Sequence, residues 1–179
     1  DKVTSIAHTA FQNCANLESI NIPNSVTSMG NGAFENCVSL KSIVIGNHVE
    51  KVRLSTFRNC TSLTDVTIGS RVTSIELEAF YGCEKLQNLT MGKRVESIGE
   101  SAFYNCYELK KVVIPSGVTT IGKYAFYNCR SLRHIVCQAD TPPQIEKYSS
   151  PFYVKGIVQP YISVPRDSYS KYLEEANWR

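Results

Sequence analysis

Seven cysteines and three histidines are the residues of this chain best suited to chemistry. A thiolate can bind a metal ion, attack a carbon centre or form a disulfide, and an imidazole can bind a metal ion or accept a proton. Six of the cysteines recur at a constant step of 23 residues, at the end of A-F-x-N-C or a close variant: Cys14, Cys37, Cys60, Cys83, Cys106 and Cys129. The repeated motif therefore decides what the thiols do.

Their spacing disfavours metal binding and catalysis. Structural zinc sites use cysteines about two to four residues apart, whereas the closest two here, Cys129 and Cys137, are eight apart. His8, His48 and His134 occupy three different positions of the repeat, so no Cys-His or Ser-His-Asp set converges. We therefore predict no catalytic residue, no metal ion and no cofactor, and we expect the cysteines to be free thiols packed in the core.

Disulfides between neighbouring repeats are disfavoured by the expected distance. If the cysteine motif forms helical turns, neighbouring turns lie about 8–10 Å apart, but bridged cysteines need Cα atoms within about 7 Å. A thin convex side would weaken this argument. Seven cysteines, an odd number, also do not suit a complete set of disulfides.

Two further segments share the 23-residue period of the cysteine motif. The pattern I-x-I alternates and predicts a short strand, V-x-x-I predicts an extended or turn-like segment, and A-F-x-N-C-x-x-L suits one or two helical turns. The predicted strand pairs are Ile20/Ile22, Ile43/Ile45, Val66/Ile68, Leu89/Met91, Val112/Ile114 and Ile135/Cys137. Asn precedes every repeated cysteine except Cys83, which follows Gly82, and we expect these amides to bond to the turn backbone.

One unit has too few apolar side chains to close its own core, so the units must stack. Stacking pairs each strand with the next and covers each apolar layer, which predicts a solenoid with a parallel sheet. In detail, "LKSIVIG" and "AFYNC" resemble the bacterial surface-antigen leucine-rich repeats, called BspA-like or treponemal-type, over residues 3–137. The resemblance implies an α/β repeat, a right-handed leucine-rich repeat solenoid with a concave parallel β-sheet and short convex helices or turns.

The resemblance also implies a location and a function. Members of this family are mostly secreted or displayed by host-associated bacteria, and several adhere to host proteins or cells, whereas none of the repeat positions is known as catalytic. We therefore expect an extracellular or cell-surface, non-enzymatic adhesion module that binds a host or cell-surface protein. A carbohydrate-binding or scaffolding accessory is the alternative.

The sequence divides into residues 1–137, six repeats of which the first lacks its strand, and residues 138–179, a C-terminal capping unit. The cap is predicted to contain a Pro-rich loop, an edge strand at "YISVP" and a helix capped by Asp167 or Ser168. The inward side chains expected on that helix are Tyr169, Tyr172, Leu173 and Ala176. Because Asp1 aligns with Asn24, the chain starts within a unit, and we expect the natural protein to continue upstream.

Bulk properties exclude two classes of partner. The formal charge of +3 is too small to predict nucleic-acid binding. No run approaches the roughly 18–20 apolar residues that span a bilayer, so we predict no membrane insertion by these residues.

Two surfaces are candidates for partner binding. Outward positions of the concave strands include Asp65, Asn88, Lys111 and His134, and basic side chains at Lys110 and Arg133 adjoin the last two. These residues either meet an acidic partner or form an ordinary solvated surface.

The second surface is aromatic and convex. Tyr81, Tyr104 and Tyr127 share the position after the repeated Phe, with Tyr107 and Tyr124 nearby. They either bind a glycan or a protein, because a tyrosine combines a flat apolar ring with a polar tip, or they shield the backbone between repeats.

Overall fold

The chain winds into a solenoid of short parallel strands, as the repeat predicts. The computed structural model describes residues 2–146, 149–154, 159–175 and 178. The strands are β1 Ser5–Ile6, β2 Ser28–Met29, β3 Ser42–Ile45, β4 Lys51–Val52, β5 Asp65–Ile68, β6 Ser74–Ile75, β7 Asn88–Thr90, β8 Ser97–Ile98, β9 Lys111–Ile114, β10 Thr120–Ile121, β11 His134–Cys137, β12 Gln144–Ile145 and β13 Tyr161–Ser163. Each repeat contributes one rung of the stack.

The concave strands alternate between the core and the solvent, as I-x-I predicts. In β3 and β5, Ile43 and Val66 are buried and paired in register, and the residues between the inward positions are exposed. The same register joins β9 to β11 and β11 to β13, so equivalent residues of successive rungs lie side by side.

The concave sheet is divided into two halves. Within the described part of the chain, β3, β5 and β7 form one three-stranded sheet, β9, β11 and β13 form another, and no ladder joins β7 to β9. The rung before the division carries Leu89 and Met91, which are only half-buried. Neither of these two inward residues is β-branched, and β-branched side chains are the ones that best fit a pleated sheet.

The V-x-x-I segments form a second parallel sheet. These segments were predicted only as extended or turn-like. They pair in register through β4, β6, β8 and β10, and β12 of the cap continues the sheet. This sheet runs without interruption past the division of the concave sheet, because β6 pairs with β8 and β8 with β10. Strands β1 and β2 form a separate pair near the start of the chain.

The first predicted concave strand is not formed. Residues 19–22, which carry Ile20 and Ile22, have no strand geometry. The N–H of Lys41 donates to the carbonyl of Glu18 at 3.1 Å, so this segment contacts the next rung. Among the described residues no concave strand precedes this segment, and a single short neighbour gives too few ladder bonds to hold it as a strand.

The convex side consists of turns, and the predicted convex helical turns are absent from the six repeats as the structure describes them. Each Asn of the motif has a positive φ, between 56° and 62°, and Gly82 has φ 70°, whereas an α-helix needs φ near −63°. Consequently the convex N–H groups bond to the next rung: Phe11 donates to Ala33 O at 2.8 Å and Asn13 to Glu35 O at 2.8 Å. Neighbouring rungs are therefore almost as closely spaced on the convex side as on the sheet side.

The repeated Phe side chains form a continuous stack in the core. Consecutive rings from Phe11 to Phe126 have centroids 5.0–5.2 Å apart and lie within 8° of parallel. The rings from Phe34 onward are completely buried, and Phe11 is half-buried at the first rung. The convex spacing of 8–10 Å predicted from helices is therefore wrong, because the rungs stack at nearly the spacing of strands.

The cysteines are nevertheless free thiols. Each thiol of the inner rungs donates to the carbonyl oxygen of the Phe one rung earlier; for example, Cys60 Sγ lies 3.2 Å from Phe34 O and Cys83 Sγ 3.2 Å from Phe57 O. Burial raises the pKa of the Cys83 thiol far above its ordinary value. The thiol thus fills a core gap, as predicted, and also satisfies a second lone pair of a buried carbonyl.

The asparagines form a ladder of their own side chains. The Nδ2 of Asn36 donates to Asn13 Oδ1 at 2.8 Å, and the Nδ2 of Asn59 donates to Asn36 Oδ1 at 3.0 Å. The expectation that these amides bond to turn backbone is therefore wrong for Asn36, Asn59 and Asn128, each of which donates to the Asn of the preceding rung. The sequence uses Asn and Gly here because these residues best tolerate a positive φ.

Replacement of Gly82 by Asn is expected to raise the free energy of unfolding by about 1 kcal/mol. Asn already adopts this conformation in five other rungs, and the new amide would bridge Asn59 and Asn105. Gly82→Ala is the matched control, expected to destabilise by about 1–2 kcal/mol because alanine gains no ladder bond and is strained at positive φ. Urea denaturation measures both, and a Gly82→Asn protein no more stable than Gly82→Ala would contradict the ladder.

The cap continues and then closes the core. The Phe152 ring lies 5.7 Å from Phe126 and 5.6 Å from Trp178. The Tyr172 hydroxyl donates to Ala139 O at 2.8 Å and lies 3.1 Å from Cys137 Sγ, while Trp178 Nε1 donates to the carbonyl of the Pro-rich loop. Aromatic side chains with polar tips thus seal the last rung.

The predicted cap helix is shorter than expected. A 3-10 turn, Arg166–Ser168, leads into α1, Tyr169–Glu174, and neither Asp167 nor Ser168 makes a side-chain cap bond. Of the three expected inward residues that the structure describes, only Tyr172 is buried, because fewer than two helical turns cannot direct several residues inward. Tyr169 and Leu173 are largely exposed, and Ala176 lies outside the described residues.

Candidate binding surfaces

The predicted concave residues fall into two groups, one on each half-sheet. Asp65 and Asn88 lie next to each other on β5 and β7, and Asn88 Nδ2 donates to Asp65 Oδ1 at 2.7 Å. The Thr64 hydroxyl donates to the other carboxylate oxygen at 2.5 Å. These hydrogen bonds, first from Thr64 and then from Asn88, lower the pKa of Asp65. This pair is therefore largely satisfied within the chain.

The second group is a row across β9, β11 and β13. Register places Lys111 beside His134 and His134 beside Tyr161. The His134 and Tyr161 rings stack with centroids 4.2 Å apart, and His134 Nε2 lies 2.9 Å from Ser163 Oγ. Tyr161 is 61% exposed. The row combines an exposed ammonium group, a fixed imidazole and an exposed aromatic ring.

The basic residues that flank the row, Lys110 and Arg133, differ in their hydrogen bonding. Lys110 is exposed beside Lys111. Arg133 turns back on its own loop, where its guanidinium donates to Arg130 O at 2.9 Å and Leu132 O at 3.0 Å. Arg133 is therefore partly held by its own loop, but it is exposed and keeps its charge, so Lys110, Lys111 and Arg133 all add positive charge to the row.

The predicted convex tyrosines form a column. Tyr81, Tyr104 and Tyr127 stack with centroids 5.0 and 5.2 Å apart and interplanar angles of 7° and 13°. Burial, followed by the neighbouring tyrosines, raises the pKa of Tyr104. The flat faces expected to meet a ligand are covered by neighbouring rings, so the column presents ring edges and hydroxyl groups.

Both ends of the tyrosine column continue into other side chains. At the first end, the Arg58 guanidinium lies 5.1 Å from the Tyr81 ring and pairs with Glu78 at 3.4 Å. At the other end, Tyr153 of the cap stacks on Tyr127 at 5.6 Å with a tilt of 35°. Tyr153 is not among the residues predicted from the sequence, although "PFY" at 151–153 repeats the order of "AFY" at 125–127.

Tyr107 and Tyr124 lie beside the column. Tyr124 meets Tyr127 edge-on at 74°, with Lys123 Nζ 4.9 Å from its ring centroid. The Arg130 guanidinium lies over the Tyr107 ring, 4.4 Å from its centroid. The structure thus brings Tyr124 to the end of the column, while Tyr107 forms a separate cation–π pair.

The described residues contain neither a metal-binding cluster nor a membrane-spanning helix. In residues 2–146, 149–154, 159–175 and 178, no three His, Cys, Asp or Glu side chains are placed to hold a metal ion. No helix in the same residues has the length and apolar character required to cross a membrane.

The stacked strands, the inward Leu and Ile positions and the outward variable rows define a leucine-rich repeat solenoid, a fold that typically serves as a non-enzymatic binding scaffold. A family model described as the BspA type leucine rich repeat region matches six copies over residues 1–92 and 52–150. The chain belongs to this family. A search of curated proteins gave no match.

Solved structures of bacterial leucine-rich repeat proteins share the fold. The T. pallidum leucine-rich repeat protein TpLRR is 25% identical, with a TM-score of 0.58 over 75% of this chain and 52% of its own. A leucine-rich repeat protein from Bacteroides ovatus is 27% identical, with a TM-score of 0.59 over 80% of this chain and 42% of its own. The pneumococcal vaccine antigen PcpA, 20% identical, covers 94% of this chain and 47% of its own with a TM-score of 0.58. The chain thus spans about half the length of these proteins.

Proposed function

We propose that this chain is a non-enzymatic adhesion module of a secreted or surface-displayed bacterial protein, and that it binds a host or cell-surface protein through its concave side. The row of Lys111, His134 and Tyr161 is the observation that carries this proposal. It lies on the half-sheet nearest the cap, where equivalent positions of three strands are adjacent.

The chemistry of the row suits a protein interface. Tyrosine and cationic side chains are enriched at binding hot spots, where a large ring is buried by the partner. Stacking on His134 fixes the Tyr161 ring before binding, which reduces the entropy lost when a partner covers it. Lys110 and Lys111 add positive charge that favours an acidic partner surface.

Similarity to surface antigens supports the location part of the proposal. PcpA is described as a pneumococcal vaccine antigen, and the matching family model carries the description of a BspA type repeat. A module of this kind needs an extended, regular surface and no reaction centre, which agrees with the outward positions of the solenoid.

Tyr161→Ala and Lys111→Glu are each expected to weaken binding to the cognate protein by about 10- to 30-fold, the effect of losing one interface hot spot. Surface plasmon resonance against a panel of purified extracellular matrix and cell-surface proteins would identify the partner and measure the change. Lys51→Glu is the matched control, because Lys51 is an exposed lysine on the second sheet.

Two results would contradict the concave proposal. One is the absence of saturable binding to any protein of the panel. The other is equal loss of affinity in Lys51→Glu and Lys111→Glu, which would indicate a nonspecific effect of charge.

The alternative function, carbohydrate binding or scaffolding through the convex tyrosines, is favoured by a different observation. The tyrosine column does not end at Tyr127 but continues to Tyr153, where the rings separate. Binding measurements on Tyr153→Ala, made beside Tyr161→Ala, Lys111→Glu and Lys51→Glu, distinguish the convex surface from the concave one.

A further inference from the structure

The tyrosine column opens at the junction between the last repeat and the cap. From Tyr81 to Tyr127 the rings lie within 13° of parallel, so each ring covers the face of the next. Tyr153 tilts by 35° and is 42% exposed, and Tyr124 stands edge-on to Tyr127. Flat ring surface and hydroxyl groups therefore become accessible together at this point.

A groove occupies this opening. Among the residues that the structure describes, its lining consists of Tyr104, Tyr124, Tyr127, Ser150 and Tyr153, around a volume of about 440 Å³. This volume is within the range of small-molecule sites, which is roughly 300–1,000 Å³. All five side chains carry a hydroxyl group and none carries a charge, so the groove offers donors and acceptors beside aromatic carbon.

Backbone hydrogen bonds join the two segments that line the groove. The N–H of Phe126 donates to Pro151 O at 2.7 Å, and the N–H of Asn128 donates to Tyr153 O at 2.9 Å. These bonds fix the segment carrying Tyr153 against the rung carrying Tyr127. The lining is therefore preorganised, which lowers the entropic cost of binding.

Tyr124 occupies its place in the groove against its backbone preference. Its φ is 59°, a conformation that is unfavourable for a bulky side chain. The equivalent positions of other rungs are Thr9, Gly32, Ser55, Glu78 and Ser101, all with positive φ and without an aromatic ring. The positive φ is therefore a feature of the repeat, and what distinguishes this rung is the aromatic ring, which the fold does not need there.

We propose that this groove is a carbohydrate-binding site for a neutral pyranose unit of a glycan. A pyranose presents C–H groups on its faces, which are attracted by the negative face of an aromatic ring, and hydroxyl groups at its edge. Tyr153 provides the exposed ring, while Tyr124, Tyr127 and Ser150 provide hydroxyl partners. The five lining side chains are uncharged, which suits an uncharged sugar, and Lys123 Nζ, 4.9 Å from the Tyr124 ring centroid, is not among them.

This inference deepens the alternative function and does not depend on the concave row. The probes are the methyl glycosides of glucose, galactose, mannose and N-acetylglucosamine, tested by saturation-transfer NMR and by titration calorimetry. At least one is expected to bind saturably to the wild-type chain. Tyr153→Ala is expected to weaken that binding by about tenfold or more, and Tyr153→Phe, which retains the ring, by less.

Two control variants show whether sugar binding depends on this groove in particular. Tyr81→Phe, at the far end of the column, and Lys111→Glu, on the concave row, are expected to leave sugar binding unchanged. Tyr124→Gly removes a ring of the groove at a backbone conformation that glycine adopts readily, and it is expected to weaken sugar binding. A purely structural Tyr124 would leave sugar binding unchanged in this variant.

The inference is overturned if none of the four glycosides binds, or if binding is unchanged in Tyr153→Ala or in Tyr124→Gly. Loss of protein binding in Lys111→Glu with sugar binding intact would support both proposals. Loss of sugar binding in Lys111→Glu would overturn the convex site alone.

Discussion

Phe80→Ala is expected to lower the free energy of unfolding by about 3–5 kcal/mol, the cost of a large cavity in a close-packed core. Phe80 is completely buried, and its ring stacks at 5.2 Å on both Phe57 and Phe103. The substitution therefore removes two ring contacts, and regular rungs on both sides leave little room for the cavity to collapse. Urea denaturation followed by circular dichroism measures the change.

Phe11→Ala is the matched control for Phe80→Ala. Phe11 occupies the same position of the motif but is half-buried and stacks on one described ring, Phe34. Its loss is expected to cost about 1–2 kcal/mol, because less apolar area returns to water. Equal costs at the two positions would contradict the continuous Phe stack as the main apolar column of the core.

Alkaline pH is expected to reduce stability steeply between about pH 9 and about pH 11, and three of the buried thiols together contribute about 4 kcal/mol per pH unit. Burial raises the pKa of the thiols of Cys60, Cys83 and Cys106 above the ordinary value of about 9. Above that pH the unfolded chain has lost these three protons and the native chain retains them. Since the native state then binds more protons, its stability falls as pH rises, by about 1.4 kcal/mol per pH unit for each thiol.

Cys83→Ala tests the alkaline prediction. The variant is expected to be less stable at neutral pH but to lose stability with pH less steeply, by about 1.4 kcal/mol per pH unit. Tyrosine and lysine titration is common to both proteins and cancels in the comparison. Urea titrations at several pH values between about 8 and 11 give the two slopes, and equal slopes would show that the Cys83 thiol ionises in the native state.

The repeat in the sequence predicts which side chains meet, and these predictions are confirmed. A constant period places Phe on Phe and Val on Ile in neighbouring rungs, whatever the local backbone is. The spacing of neighbouring rungs on the convex side was predicted wrongly, because apolar spacing cannot distinguish two helical turns from two tight turns. The signal was present in the recurrent Asn with Gly82 as its substitute, since a shared preference of these two residues indicates a positive φ.

The candidate surfaces were predicted less completely. The period places Lys111 beside His134, and the structure agrees. Tyr161 was missed because the cap departs from the period, so its register with His134 cannot be counted along the sequence. The division between β7 and β9 was missed because Leu89 and Met91 fit an apolar pattern equally well, although their shape does not favour a strand.

Ring orientation also lies beyond a sequence pattern. The shared position of Tyr81, Tyr104 and Tyr127 predicts a column, but a column can present either faces or edges. The rungs are so closely spaced that the column presents ring edges, because rings 5.0 and 5.2 Å apart leave no room for a ligand between them. Only the tilt of Tyr153 restores an accessible face among the described rings of the column.

The stacking of like on like makes the length of this molecule adjustable in whole rungs. If one complete unit of 23 residues were deleted or duplicated, Phe would again meet Phe, each thiol would again reach a Phe carbonyl, and Asn or Gly would again occupy the turn with positive φ. Deletion or duplication of whole units would therefore conserve the core while moving the variable outward positions relative to the cap. The surface rows can change in extent and order without any compensating change inside.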